Sequence, residues 1–278
     1  MNEFQKVIKY LAIAFAVFLT VTIITGIASA VIAIVGVTTV NHEEIVDYNK
    51  SFDDVRSLVV ENGVGKLTIK STDSDQVTVE GTNVNESFVA EKSFSGELKI
   101  KSKFNFWNMF NSGKDFNQNS TIIIYLPSSF EADKVEIDAG AGNVNIEGLK
   151  TDKLDINAGV GDVYGENIYA DNVSLEGGVG EITLENVELN DVDIDAGVGN
   201  IEVQGKITGR SEIDAGVGNI DLDITGSPND YELKVDKGIG DIYIDGDKYS
   251  SLKWNNITAE YSMDINGGVG NIRLDFKE

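Results

Sequence analysis

The chain has 278 residues and a formal net charge of −24, with 22 Lys and Arg against 46 Asp and Glu. So acidic a chain repels phosphate backbones, which excludes nucleic acid as a partner. It contains no cysteine, so disulfides and thiolate metal sites are excluded as well.

The first element is an apolar segment from Tyr10 to Val40, which contains no charged residue. About 20 apolar residues suffice for a helix to cross a bilayer, so residues 1–41 are predicted to be a short tip and a single transmembrane anchor. Lys6 and Lys9 precede the segment, and acidic residues follow it. The positive-inside rule then places the N-terminus in the cytoplasm and the rest of the chain outside the cell.

A cleaved signal peptide is the alternative, because Ala28-Ser29-Ala30 resembles a small-residue cleavage site. The apolar segment is longer than the usual core of a signal peptide and resumes from Val31 to Val40, which favours a retained anchor. Residues 42–54 are then a linker, and residues 55–278 form one extracytoplasmic repeat domain.

A Gly-x-Gly tripeptide with an apolar middle residue occurs eight times in this domain. The first glycines of the copies are Gly63, Gly140, Gly159, Gly178, Gly197, Gly216, Gly238 and Gly268. The five consecutive copies from Gly140 to Gly216 follow one another at a constant interval. A fixed period of this size is typical of stacked, coiled architectures.

Aliphatic residues stand at fixed offsets from every bend, three residues before the first glycine and two after the second, as at Ile156 and Val163. Each unit therefore predicts two short strands around a bend. At about 3.3 Å per residue a unit traces about 60 Å, which suits one turn of a flattened coil. The predicted fold is all-β, a parallel β-helix (β-solenoid) with turns of about 19 residues and aliphatic columns inside. An antiparallel meander or sandwich is the alternative.

The bends predict two further features. Glycine is needed where the backbone has a positive φ or closely approaches the neighbouring coil. The residue between the glycines, such as Val160, is apolar in every copy, and we expect it to point inward at the corner.

The first two motifs begin at Gly63 and Gly140, and the interval between them is close to four periods. Residues 77–79, 98–100 and 122–124 are strand-like and predict coils that have lost the bend, with a loop inserted at residues 103–119. This loop contributes the candidate partner-binding residues, which are Phe104, Phe106, Trp107 and Phe110. The alternative is a hydrophobic flap that covers the coil.

Polar columns flank the bends, and carboxylates dominate the column two residues before the first glycine. Like charges about 5 Å apart repel by about 1 kcal/mol in water, and a divalent cation such as Ca²⁺ relieves that repulsion. The candidate metal ligands are Asp138, Asp162, Asp195, Asp214, Asp236 and Asp241. The alternative is a solvated polar face with asparagine hydrogen bonds, and no other cofactor is expected.

Catalysis by histidine or cysteine is excluded in the repeats, because His42 is the sole histidine and cysteine is absent. A polysaccharide-active β-helix enzyme with paired carboxylates is one alternative function. Every turn carries a similar Asp/Asn pair, however, whereas a catalytic site concentrates unlike residues on one turn. We predict a non-enzymatic surface adhesin or binding module for a surface polysaccharide or envelope protein. An accessory protein of cell-envelope stress or signalling is the other alternative.

These features resemble the bacterial putative-adhesin family of β-strand repeat proteins, a domain of unknown function. The resemblance rests on residues 122–127, residues 135–144 and the later Ala-Gly-Val-Gly units, and it covers residues 55–276. It implies a surface protein with a solenoid fold, and members with an N-terminal anchor are similar to components of cell-envelope stress operons. The family offers no agreed catalytic or binding residues to carry over, and the aromatic insertion departs from its pattern.

Overall fold

The computed structural model describes residues 45–102, 120–254, 256 and 258–277, which form an all-β domain. The predicted anchor and the aromatic insertion lie outside these residues. Within the described part of the chain, no helix is both long and apolar enough to span a bilayer. A 3₁₀ turn at Pro228–Asp230 interrupts the strands near the C-terminus.

The domain contains 21 described strands. In chain order they are β1 (Ile45–Phe52), β2 (Ser57–Val64), β3 (Lys66–Thr72), β4 (Val77–Asn85), β5 (Val89–Lys92), β6 (Glu97–Ser102), β7 (Thr121–Pro127), β8 (Lys134–Ala141), β9 (Val144–Val160), β10 (Val163–Val179), β11 (Ile182–Asn190), β12 (Val192–Val198), β13 (Ile201–Thr208), β14 (Arg210–Val217), β15 (Ile220–Thr225), β16 (Tyr231–Ile239), β17 (Ile242–Ile244), β18 (Asp247–Tyr249), β19 (Leu252–Trp254), β20 (Tyr261–Val269) and β21 (Ile272–Lys277).

Successive repeats pair in parallel with a register offset of one full repeat, as in Val144 with Val163 and Ile156 with Leu175. Two ladders result. The pre-bend ladder contains the strand segments that lead into a bend, and the post-bend ladder contains those that follow one. Parallel stacking at the repeat period is the pairing of a β-solenoid and not of an antiparallel meander.

The aliphatic columns form the core. The pre-bend column runs, in stacking order, Val60, Ile137, Ile156, Leu175, Ile194, Ile213, Ile265 and Val235. All eight side chains are 1% exposed or less. The equivalent post-bend column, which includes Val163 and Ile201, is equally buried. Both predicted columns are therefore confirmed, and burial of these branched side chains is the main source of stability.

The coils do not stack entirely in chain order. The last coil, β20 and β21, lies between the coil of β14 and β15 and the coil of β16 and β17. The first coil, β2 and β3, likewise lies between β6 and β7 on one side and β8 and β9 on the other. Coils with similar apolar faces are interchangeable as neighbours, so periodicity alone does not specify this order.

Antiparallel strands occupy both ends of the stack. At one end β4 pairs with β7, β1 pairs with β4, and β5 pairs with β6. At the other end β18 pairs with β17 and β19 pairs with β16. Residues 98–100 and 122–124 thus continue the coil as predicted, whereas residues 77–79 belong to an antiparallel capping strand. Most of the predicted linker, residues 45–52, is strand β1.

Candidate functional site

The glycine bends form one continuous corner of the stack. A Cβ atom on Gly159, the first glycine of its bend, would lie 2.4 Å from the carbonyl oxygen of Gly140 in the adjacent coil. The second glycine, Gly161, has a φ of +142°, and its Cβ would lie 2.1 Å from the oxygen of Gly142. Both predicted reasons for glycine, a positive φ and a close approach between coils, are confirmed.

The residue between the glycines points outward, so the prediction for this position was wrong. Val160, Val179, Val198 and Val217 are between 46% and 57% exposed. The inside of the corner is already filled by a column of small residues, such as Ala158, and by the first post-bend aliphatic residue, such as Val163. Between that pair, Val160 and Asp162 are exposed, and the two glycines lie against the backbone of the adjacent coil, which a period-2 pattern does not anticipate.

A groove of about 850 Å³, which we call the bend groove, follows the column of first glycines. It follows the bends of five stacked coils and reaches Ser102 in a sixth, and the first glycines line it because they have no side chains to fill it. Its polar lining includes Glu61, Asn62, Asp138, Asn157, Glu176 and Asp195. The volume lies within the range of ligand sites in proteins.

Asn62 is an irregular residue at one end of the bend groove. It takes the place that Ala139 has in the next coil, and its side chain is only 2% exposed. Its Nδ2 donates to the carbonyl oxygen of Gly65 at 2.9 Å. Among the described residues, its Oδ1 has no hydrogen-bond partner. A buried acceptor without a partner destabilises the fold by about 1–3 kcal/mol, and this oxygen is itself shielded from the groove.

The carboxylates of the groove differ in their partners. Glu61 lies 2.9 Å from the Lys99 ammonium and 3.2 Å from that of Lys101. The hydrogen bond from Lys99 lowers the pKa of Glu61 below its usual value. Asp138 accepts a hydrogen bond from Asn157 at 3.2 Å. No ion pair joins Glu176 or Asp195, which neighbour each other in the ladder, to any described residue.

The column directly after the second glycines has a structural role. Asp162 Oδ1 accepts the backbone N–H of Glu181 in the next coil at 3.0 Å. Asn200 and Asn219 accept from the backbone of the following coil in the same way, at 3.0 and 2.9 Å. These bonds explain the Asn and Asp of this column as coil-to-coil caps of the corner.

The six predicted cation ligands do not converge on one point. Asp138, Asp195, Asp214 and Asp236 share the column before the bend, and Asp162 and Asp241 lie in the column after it. Asp214 accepts from Asn266 at 2.7 Å. Asp241 pairs with Lys248 at 2.8 Å, which lowers the pKa of its carboxyl. Within the described residues, no group of three or more metal-binding side chains is arranged to hold an ion. Calcium binding stays a prediction.

The predicted aromatic partner-binding residues, Phe104, Phe106, Trp107 and Phe110, lie outside the described residues. The described residues on either side of the insertion are Ser102, which lines the bend groove, and Ser120, whose carbonyl oxygen accepts from Lys66 N at 2.9 Å. The two serines therefore flank the position of the bend in the coil next to Gly63 and Gly65. The sequence singled out this segment but not the place of its two ends in the stack.

The model of the Toastrack DUF4097 family matches residues 55–275, which is most of the chain. The chain belongs to the Toastrack DUF4097 family. This membership agrees with the resemblance drawn from the repeats and with the β-solenoid architecture. No curated protein matches this Toastrack chain.

Solved structures similar to this Toastrack chain come from several bacteria. A putative adhesin from Bacteroides fragilis is 18% identical with a TM-score of 0.44, over 83% of this chain and 96% of that one. A putative cell adhesion protein from Clostridium sporogenes is 18% identical with a TM-score of 0.34, over 84% and 100%. A putative lipid binding protein from Parabacteroides distasonis is 12% identical with a TM-score of 0.30, over 86% and 98%.

Proposed function

We propose that this Toastrack protein is a membrane-anchored, non-catalytic binding module that retains a surface polysaccharide in the bend groove. The observation that carries the proposal is the groove itself, which presents hydrogen-bond acceptors from five consecutive coils along one line. A repeated row of similar groups suits a ligand that is itself a repeating chain.

The chemistry of the lining favours a hydroxyl-rich ligand. Carboxylates accept hydrogen bonds but do not donate them, so the exposed Glu176 and Asp195, and Asp138 beyond its bond from Asn157, can bind a ligand only through its donors. Polysaccharide hydroxyls supply such donors without bringing a negative charge into an acidic groove.

Binding rather than turnover is supported by the regularity of the row. Glycoside hydrolysis needs two carboxyl groups with different tasks on either side of one bond. Here each coil contributes a similar acceptor at the same offset from its bend. The apolar segment from Tyr10 to Val40 supplies the proposed anchor, which holds the repeat domain outside the membrane.

The test is to fill the groove by substitution. Asn157 lies in the groove, and its side chain makes one long hydrogen bond, to Asp138. Asn157→Trp in the full-length protein is expected to abolish retention of purified cell-wall polysaccharides in a pull-down assay. Asn172→Trp is the matched control, because Asn172 is exposed, makes one long bond to Asp152 and lies away from the groove.

Equal retention by both variants would exclude the groove as the binding site. If the wild type retains no polysaccharide, the proposed function is wrong. Release of oligosaccharides during prolonged incubation with the wild type would favour the enzymatic alternative. Chromatography of the same samples detects such products as new oligosaccharides with reducing ends.

A further inference from the structure

The outward middle residues of the bends form an apolar line at the corner, which we call the valine ridge. Its members, in stacking order, are Val160, Val179, Val198, Val217, Val269 and Ile239. Each is between 41% and 57% exposed. One half-exposed valine on a surface is ordinary, but six in adjacent coils form a continuous apolar strip, which marks an interaction surface.

Carboxylates flank the ridge on both sides. Glu176, Asp195 and Asp214 stand in the column before the bends, next to Val179, Val198 and Val217. Asp162 and Glu181 stand in the column after them. None of these five carboxylates has an ion pair with any residue that the structure describes. Unpaired carboxylates therefore border the ridge before the bends at Val179, Val198 and Val217 and after the bends at Val160 and Val179. The other flanking positions are Asn or, beside Ile239, the lysine-paired Asp236 and Asp241.

We propose that the valine ridge is a docking surface for a basic amphipathic α-helix of a partner protein. Such a helix carries an apolar stripe bordered on both sides by Lys or Arg, which is complementary to the ridge in both apolarity and charge. A second copy of this chain does not fit, because it would bring the same acidic borders together and the chain has a net charge of −24.

The spacing supports a helix that lies along the ridge. Adjacent coils are about 4.8 Å apart, whereas an α-helix presents one apolar position per turn of about 5.4 Å. Over the five intervals of the ridge the mismatch adds up to about 3 Å, which flexible side chains of the helix must absorb. The six positions span about 24 Å, the length of a helix of about 16 residues.

The probe is a synthetic peptide of about 18 residues, with leucine at every third or fourth position and lysine on both flanks of that stripe. Its affinity is measured by fluorescence anisotropy with the full-length protein in zwitterionic nanodiscs, and empty nanodiscs serve as the blank. The double variant Val179→Thr and Val198→Thr keeps the branched shape and removes apolar contact. It is expected to weaken binding about tenfold or more.

The matched control is Val89→Thr, at a valine in β5 that is 39% exposed and away from the ridge. It is expected to leave the affinity unchanged. Glu176→Gln with Glu181→Gln is expected to weaken binding and to reduce its dependence on salt. Circular dichroism of each variant establishes that it is folded.

Three results would overturn the docking proposal. They are unchanged affinity in the threonine double variant, equal binding of a scrambled peptide of the same composition, and tighter binding of an extended Lys–Val alternating peptide. The threonine variant is expected to retain polysaccharide as the wild type does. Failure of the docking proposal is therefore distinguishable from failure of the proposed function.

Discussion

At the bends, the carbonyl oxygen of one coil lies so close to the next coil that only glycine fits at the facing position. The positive φ of each second glycine is only part of the reason. A Cβ on Gly180 would lie 2.0 Å from the oxygen of Gly161, far inside van der Waals contact, so the backbone of the corner would have to move. Glycine is needed here because coils stack closely, and the stacking repeats along the corner.

Gly180→Ala is expected to destabilise the domain by more than about 4 kcal/mol in urea unfolding, because strain and clash add together. Gly246→Ala separates the two causes. Gly246 also has a positive φ, +83°, but nothing lies within 4 Å of its Cβ position. Its substitution is expected to cost about 1–2 kcal/mol from φ alone. If both variants lose the same free energy of unfolding, the close approach of the neighbouring coil does not contribute to the cost of the substitution.

At the scale of elements, the position of a coil in the chain does not predict its position in the stack. Ile265 of the last coil packs between Ile213 and Val235 and is fully buried. Antiparallel strands such as β1 and β19 occupy the ends instead and limit edge-to-edge pairing with other chains. The coil nearest the C-terminus is therefore an interior element.

Hydrogen–deuterium exchange followed by mass spectrometry tests this order. The amides of β20 (Tyr261–Val269) are expected to be as protected as those of β12 (Val192–Val198), because both strands have a parallel neighbour on each side. The edge strand β1 (Ile45–Phe52) serves as the internal reference for fast exchange. Exchange of β20 at the rate of β1 would contradict the inserted order.

At the scale of the whole molecule, charge opposes compactness. The chain carries a net charge of −24, and several carboxylates stack in adjacent coils without a cation among the described residues. Carboxylates such as Asp162 are held by hydrogen bonds to the backbone, which orient them but leave the negative charge in place. The repulsion between coils is therefore expected to depend on ionic strength.

Raising KCl from about 20 mM to about 300 mM is expected to raise the urea midpoint, because the Debye length falls below the distance between more distant carboxylates. Calcium is tested at matched ionic strength against KCl and MgCl₂. Stabilisation by Ca²⁺ beyond that of KCl would support the predicted binding of a cation by the carboxylates that flank the bends. An equal rise of the urea midpoint in CaCl₂ and in KCl would show that Ca²⁺ acts only by screening charge. The prediction of calcium binding would then be wrong.

Much of the core was predictable from the sequence, because it depends on local rules. Ile156 and Val163 could be placed inside from a period-2 pattern anchored on glycine, and both are buried. The outward valines were not predictable in this way, because the bend changes the alternation and only packing reveals that Ala158 already fills the corner. The groove depends on the same corner and on Asn62, whose unused acceptor has no signature in the repeat.

The repeat pattern alone dictated a β-solenoid with coils of about 19 residues and glycine at each bend, since side-chain alternation and backbone sterics act within one coil. Packing in three dimensions settled which coils are neighbours and where the first and last coils insert. It also settled that the valine between the two glycines points outward and not into the core. These features depend on contacts between coils. Because the repeats present nearly identical apolar faces, the local sequence does not distinguish one possible neighbour from another.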